Sequence, residues 1–338
     1  MEKASSQMAN ALVHSVGKVS VVTIFKKKHF FKLQKEISLY EPKTEVTRLN
    51  ILGTIKYLRQ NIKSINPDTI LVYNKFYGAL VAVSLVGVSI PFFISERSSP
   101  FYKWGGKLNL FNKVAFAINS PMGIMVQTEE ALKFQEKYYR SSRLAVIPNI
   151  LEKPVLEPIY ERQNFILAVG RLNDPLKGFD RLIIALSKVK NNWPLFIVGG
   201  NANEDKSLTL LIDQLNLKDR VVFKGKQNNV SQFYKQAGIF VIPSRSEGFP
   251  NVLIEAMSYG APCVSFDFSS GPKEIIDNQV SGVLIDEGDT EKLAQAIDQL
   301  IENENHRKKI GDVAKIESKK YGEEFITSKL FDLIFLNA

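Results

Sequence analysis

The sequence predicts an α/β protein built from two doubly wound, parallel-sheet domains. Three observations carry that expectation. The chain has 338 residues, more than one hydrophobic core usually spans. Short continuous apolar runs alternate with segments of helical spacing along its whole length, the pattern of strands buried between helical layers. A stretch without periodicity, 149–164, carries Pro154 and Pro158 and breaks the rhythm near the middle, as a linker does.

In the second half, strands are expected at Phe165–Val169, Leu195–Val198, Val221–Phe223, Ile239–Ile242, Cys263–Phe266 and Val283–Ile285, with helices at Phe179–Val189, Lys206–Leu215 and Val252–Tyr259. The first half repeats the rhythm. Strands fit at Val19–Phe25, Thr69–Tyr73, Phe92–Ser95, Gly123–Gln127 and Leu144–Ile147, and helices at Lys3–Val16, Leu52–Ile65, Phe76–Val86, Lys107–Ile118 and Glu129–Tyr138. The polar run Glu161–Asn164 reads as an exposed connector. One element is missing: the chain opens directly on a helix, whereas a doubly wound domain normally begins with a central strand.

Composition narrows the function classes. Hydrophobic residues at 45% and charged residues at 23% are ordinary for a globular protein. The single cysteine, Cys263, lies in an apolar run and excludes a disulfide framework, which fits a reducing compartment. The three histidines are scattered and no D-x-D pair is present, so no metal site is expected. The apolar stretch Gly78–Ile94 is broken by Ser84, Gly87, Ser89 and Pro91 and falls short of the roughly 20 residues of a membrane span. The net charge of +9 suits nucleic acid, an anionic membrane or a polyphosphate substrate.

Chemistry is expected on loops that follow strands, since ligands of such sheets bind beyond the strands' carboxyl ends. The densest constellation is Ser244–Met257, reading SRSEGFPNVLIEAM. Pro250 suits the first turn of a helix and Gly260 its stop. The amides around Asn251, Val252 and Leu253 then favour an anion. Glu255 lies about 7.5 Å along that helix, and Glu247 precedes it on the loop with Gly248 and Phe249. Two carboxylates flanking an anion site match a nucleoside-diphosphate sugar, whose hydroxyls lie on both sides of its diphosphate. A second loop, Gly170–Gly178, sets Arg171 and Lys177 on the same edge. Fixed cations stabilise a departing diphosphate without a metal. The glycine turns at Gly199-Gly200 and Ser269-Ser270-Gly271 also follow strands, and neither is the G-x-G-x-x-G of a dinucleotide site.

Taken in order, G-R-x-x-x-x-K-G, G-G, E-G-F-P-N-V-L-I-E-A-M and G-P-K-E-I-I resemble the family-4 retaining glycosyltransferases of GT-B fold, of the bacterial surface-polysaccharide type. The resemblance implies two Rossmann-like domains facing across a cleft. It divides the chain into an acceptor-side domain at 1–153, a donor-binding domain at 154–322 and a last helix at 323–338 that returns to the first domain. Glu247 and Glu255 match its E-x7-E pattern. It gives Arg171 and Lys177 to the donor diphosphate, Glu255 to the ribose, and Glu247 with the amides of Phe249 to Asn251 to the donor sugar and phosphates. Backbone near Gly225-Lys226-Gln227 would cradle the base. Glu96 and Arg97, after the strand Phe92–Ser95, would lie on the acceptor side.

The same resemblance implies transfer of a hexose or N-acetylhexosamine from a UDP-sugar, with retention and no metal or other cofactor. The acceptor would be a growing cell-surface glycan, lipid-linked, at the inner face of the cytoplasmic membrane. The protein would be cytoplasmic and peripheral. The basic aromatic run Lys26–Lys32 would meet lipid there. Relatives begin with a strand and a glycine pair, and Met1–Ser5 of this chain resembles the segment immediately after that pair. The first strand and its glycine loop are therefore expected to be absent. The alternatives are a nucleotide-sugar epimerase on the same fold and an inactive, truncated transferase. A nucleic-acid partner is not expected, because the glutamates stand where phosphate recognition excludes negative charge.

Overall fold

The computed structural model describes residues 2–26, 31–43, 50–98, 105–137, 139, 142–152, 161–269 and 271–335. The chain divides into two units, one of Met1–Ile150 with Glu323–Ala338 and one of Leu151–Gly322. The first runs α1 (Glu2–Leu12), β1 (Ser20–Val22), β2 (Ser38–Tyr40), α2 (Ile51–Ile65), β3 (Ile70–Tyr73), α3 (Lys75–Ser84), β4 (Phe92–Ser95), α4 (Gly106–Ile118), β5 (Gly123–Val126), α5 (Glu129–Glu136) and β6 (Arg143–Val146). The second runs β7 (Gln163–Val169), α6 (Phe179–Leu186), β8 (Leu195–Val198), α7 (Lys206–Gln214), β9 (Val221–Phe223), α8 (Ser231–Gln236), β10 (Ala237–Ile242), α9 (Asn251–Ser258), β11 (Cys263–Asp267), α10 (Pro272–Ile275), β12 (Val283–Asp286), α11 (Thr290–Glu302) and α12 (Glu304–Glu317). Helix α13 (Glu323–Phe335) belongs to the first unit.

Unit 1 holds a parallel sheet in the order β3-β4-β5-β6. Both faces are covered. Phe93 and Met125 point into a core with Met8 of α1 and Leu330 of α13, while Ile94 and Ile124 meet Leu58 of α2 and Leu80 of α3. That two-sided burial explains why β4 and β5 are apolar throughout. Local signals fix the helices. Asn50 caps α2 by accepting from the Gly53 amide, and Asn66, in the left-handed region, ends it on the Ile62 carbonyl. Strands β1 and β2 pair parallel as a sheet of their own, so β1 and β3 each keep one edge without a neighbouring strand among the described residues.

Unit 2 is a six-stranded parallel sheet in the order β12-β11-β10-β7-β8-β9. The chain lays β7, β8 and β9 outward in one direction, then returns to place β10 on the other side of β7. The topological switch point therefore lies between β7 and β10, where sheets of this kind hold ligands.

Several expectations are corrected. Arg162 is no exposed connector residue: its guanidinium donates to the carbonyls of Tyr234, Ala237 and Tyr259, and burial lowers its pKa to about 10. In the tail, a 3-10 turn at Ser318–Tyr321 precedes α13. Ile326, Leu330 and Leu333 face the core, whereas Phe325 and Phe335 are exposed. Strand β2 was missed because three residues carry too little periodicity to register. Residues 153–160 of the expected linker, Lys27–Phe30 of the basic run, and Ser270 lie outside the described residues.

Candidate active site

The switch point sets the loops after β7 and β10 side by side. The first loop is Gly170–Asp174, followed by a 3-10 turn at Pro175–Lys177 and by Gly178 in the left-handed region, which opens α6. The second is Pro243–Pro250, which delivers α9. Lys177 Nζ stands 3.0 Å from Glu247 Oε1, both side chains largely shielded from solvent. Ser244 Oγ donates to the same carboxylate oxygen at 2.7 Å. Glu247 is thus held from two directions at the start of a helix that no side chain caps. The Asn251 and Leu253 amides donate to the Phe249 and Pro250 carbonyls, both at 2.9 Å, and the dipole of α9 makes this end favour an anion.

A clamp that the sequence did not reveal joins the loops. Arg245 donates to both carboxylate oxygens of Asp180, at 2.7 and 2.5 Å, and to the Pro175 carbonyl at 3.0 Å. Its amide also donates to the Leu176 carbonyl at 2.8 Å. The Arg245 hydrogen bonds hold Asp180 below the usual carboxylate range. A carboxyl depressed in this way adds stability above its ordinary titration range, and the contribution is lost as pH falls through the folded value. The approach is close: a Cβ at Gly178 would stand against the Pro243 carbonyl oxygen, well inside contact distance.

Arg171 is on the same loop as Lys177, but its side chain is 75% exposed and pairs with Asp174 at 2.7 Å. Glu255, one turn and more into α9, accepts from the buried Tyr234 hydroxyl of α8 at 3.1 Å. Burial, reinforced by the Glu255 charge, pushes the Tyr234 hydroxyl well up. Phe249 is buried edge-on against Tyr321 and anchors the loop rather than presenting a side chain. Pro250, Asn251, Val252 and Leu253 form the start of α9, with Leu253 buried. Gly170 donates its amide to Val198, and Gly199 donates to Gly225, at 2.9 and 2.8 Å, which gathers the loops after β7, β8 and β9 on one edge. Leu172 backs Gly200, Asn201 fills the space beside Gly225, and Lys226 pairs with Glu204 at 3.2 Å.

In unit 1, Glu96 and Arg97 each hydrogen-bond to neighbouring loops and helices. The Glu96 carboxylate accepts from the amides of Lys75, at the start of α3, and Ser98, at 3.3 and 3.0 Å. Arg97 donates to Ser95 Oγ and, at 2.6 Å, to Asn149 Oδ1, and its guanidinium lies over the Tyr73 ring. Among the described residues no cluster of three or more metal-type ligands occurs, and no helix is long and apolar enough to cross a membrane.

A pair of parallel α/β units, with cations and carboxylates gathered at a switch point, defines a Rossmann-like transferase of the GT-B class. The chain belongs to the family described as "Glycosyl transferases group 1", which residues 137–317 match, and it is a glycosyltransferase. It is 31% identical to an uncharacterized glycosyltransferase of Haemophilus influenzae, over 96% of this chain and 93% of that protein. It is 24% identical to a Campylobacter jejuni α-1,4-N-acetyl-D-galactosaminyltransferase named for a diphospho-undecaprenol-linked glycan, over 98% and 94% of the two chains. Among solved structures, Anabaena HepE in complex with UDP and glucose superposes with a TM-score of 0.78 at 19% identity, covering 98% of this chain and 95% of that one.

Proposed function

We propose that the protein transfers a hexose or N-acetylhexosamine from a UDP-sugar to a growing cell-surface glycan carried on a polyprenyl diphosphate, with retention of configuration and without a metal. The observation that carries this reading is the Lys177–Glu247 pair at the switch point, beside the positive end of the α9 dipole. The donor diphosphate lies against that helix end. Lys177 and Arg171 face the charge that develops as the bond from the sugar C1 to the β-phosphate oxygen breaks. Glu247 accepts hydrogen bonds from sugar hydroxyls and Glu255 from the ribose. The acceptor hydroxyl attacks C1 from the side the diphosphate leaves, and its proton passes to the departing phosphate. The acceptor class follows the Campylobacter relative's name, and uridine follows the family resemblance.

Release of nucleoside diphosphate, measured with and without a polyprenyl-diphosphate glycan, tests the reading. Release that depends on acceptor and persists in EDTA supports it. Loss of activity in EDTA that added Mg²⁺ restores contradicts the metal-free mechanism. Glu255→Ala is expected to weaken UDP binding by about tenfold, the usual cost of a charge-assisted hydrogen bond, as read by calorimetry. Arg171→Ala, which removes a solvent-exposed cation, is expected to lower kcat by about tenfold with little change in KM.

A further inference from the structure

We infer that Tyr234 is a positioning residue for the donor: its buried hydroxyl fixes the Glu255 carboxylate for the ribose, and so sets how well the site separates ribonucleoside diphosphates from analogues without ribose hydroxyls. The inference rests on the ribose contact proposed for Glu255 above. A glutamate carries its carboxylate at the end of a flexible side chain with many rotamers. Tyr234 selects among them. Its hydroxyl donates to Glu255 Oε2 at 3.1 Å, from a helix, α8, that packs on α9.

The donor itself cannot wander. Tyr234 is 2% exposed. Its ring stacks on Tyr259, at the end of α9, with centroids 6.1 Å apart, and meets Phe240 of β10 edge-on at 5.6 Å. The backbone beneath is tied as well. Arg162 draws together the carbonyls of Tyr234, Lys235 and Tyr259, so α8 cannot slide along α9 without breaking charge-assisted hydrogen bonds. Burial, reinforced by the Glu255 charge, pushes the Tyr234 hydroxyl well up, which keeps it protonated and donating at any neutral pH.

A residue needed here only for packing could be phenylalanine. The hydroxyl instead reaches from the core to a carboxylate that is itself only partly buried. A carboxylate ordered before the ligand arrives loses less freedom on binding. A nucleotide without ribose hydroxyls gains nothing from that order. Discrimination is therefore what the hydroxyl contributes.

Calorimetric titration of the full chain with UDP and with dideoxy-UDP, which lacks both ribose hydroxyls, tests the inference. The wild type is expected to bind UDP about tenfold more tightly than the analogue, the usual worth of a charge-assisted hydrogen bond. Tyr234→Phe is expected to weaken UDP about fivefold, the cost of ordering one rotamer-rich side chain on binding, and to leave dideoxy-UDP unchanged. Glu255→Ala is expected to abolish the preference, and adding Tyr234→Phe to it is expected to change nothing further. Tyr234→Phe that keeps the wild-type preference, while Glu255→Ala abolishes it, overturns the inference and leaves the ribose contact standing. So does Tyr234→Phe that weakens both nucleotides alike, since that is a packing defect. Glu255→Ala that leaves the preference intact contradicts the ribose contact itself, and the role of Tyr234 falls with it.

Discussion

Lys177→Ala is expected to lower kcat by about 10²–10³-fold, the range seen when one preorganised donor to a developing oxyanion is removed, while KM changes little. The reason lies in the switch-point geometry. Lys177 is shielded and fixed by Glu247 at 3.0 Å, so its charge needs no reorganisation when the diphosphate begins to leave. Arg171 sits on the same loop but in solvent, where charge is screened; it cannot replace the lost cation. Deleting Lys177 also leaves Glu247, still bonded to Ser244, as an uncompensated negative charge beside the phosphate. Lys177→Ala with Glu247→Ala should therefore cost less than the sum of the two single changes. Steady-state rates of nucleoside diphosphate release for the four proteins check this.

Gly178→Ala is expected to destabilise unit 2 by about 2–4 kcal/mol and to abolish most activity, from left-handed strain of about 1–2 kcal/mol plus forced backbone movement. At φ +66° the new methyl would press on the Pro243 carbonyl oxygen, which must move. That pushes apart the two loops that Arg245 holds together through Asp180 and Pro175, and with them Lys177 and Glu247. Gly106→Ala, in a helix with open space around the added methyl, is the control and is expected to melt as wild type. Thermal melting and turnover of both variants, measured together, separate the loop effect from a general loss of stability.

The sheets were legible in the sequence because parallel strands buried on both faces are continuous apolar runs. Residues such as Phe92–Ser95 and Leu195–Val198 announce themselves without knowledge of their neighbours. The placement of Lys177 and Glu247 on neighbouring loops was legible for a related reason: strand ends fix where those loops begin, and both residues follow strands. The parts that stayed hidden depend on pairs far apart in the chain. The Arg245–Asp180 clamp spans 65 positions, and Tyr234 reaches Glu255 only because α8 packs on α9. Arg162 reads as a surface residue because a long cation amid polar neighbours is usually solvated, yet four backbone carbonyls converge on it. The partners of Glu96 and Arg97 at Lys75 and Asn149 were hidden in the same way, since they follow other strands.

Hydrogen–deuterium exchange with and without saturating UDP tests the central claim most directly. The account predicts slowed exchange in two segments, around Val252 at the start of α9 and along Gly170–Gly178, with little change in unit 2 away from the strand edge that they share with Gly225–Gln227. Bound UDP that leaves both segments exchanging as in the free protein, and protects a different strand edge, would contradict it.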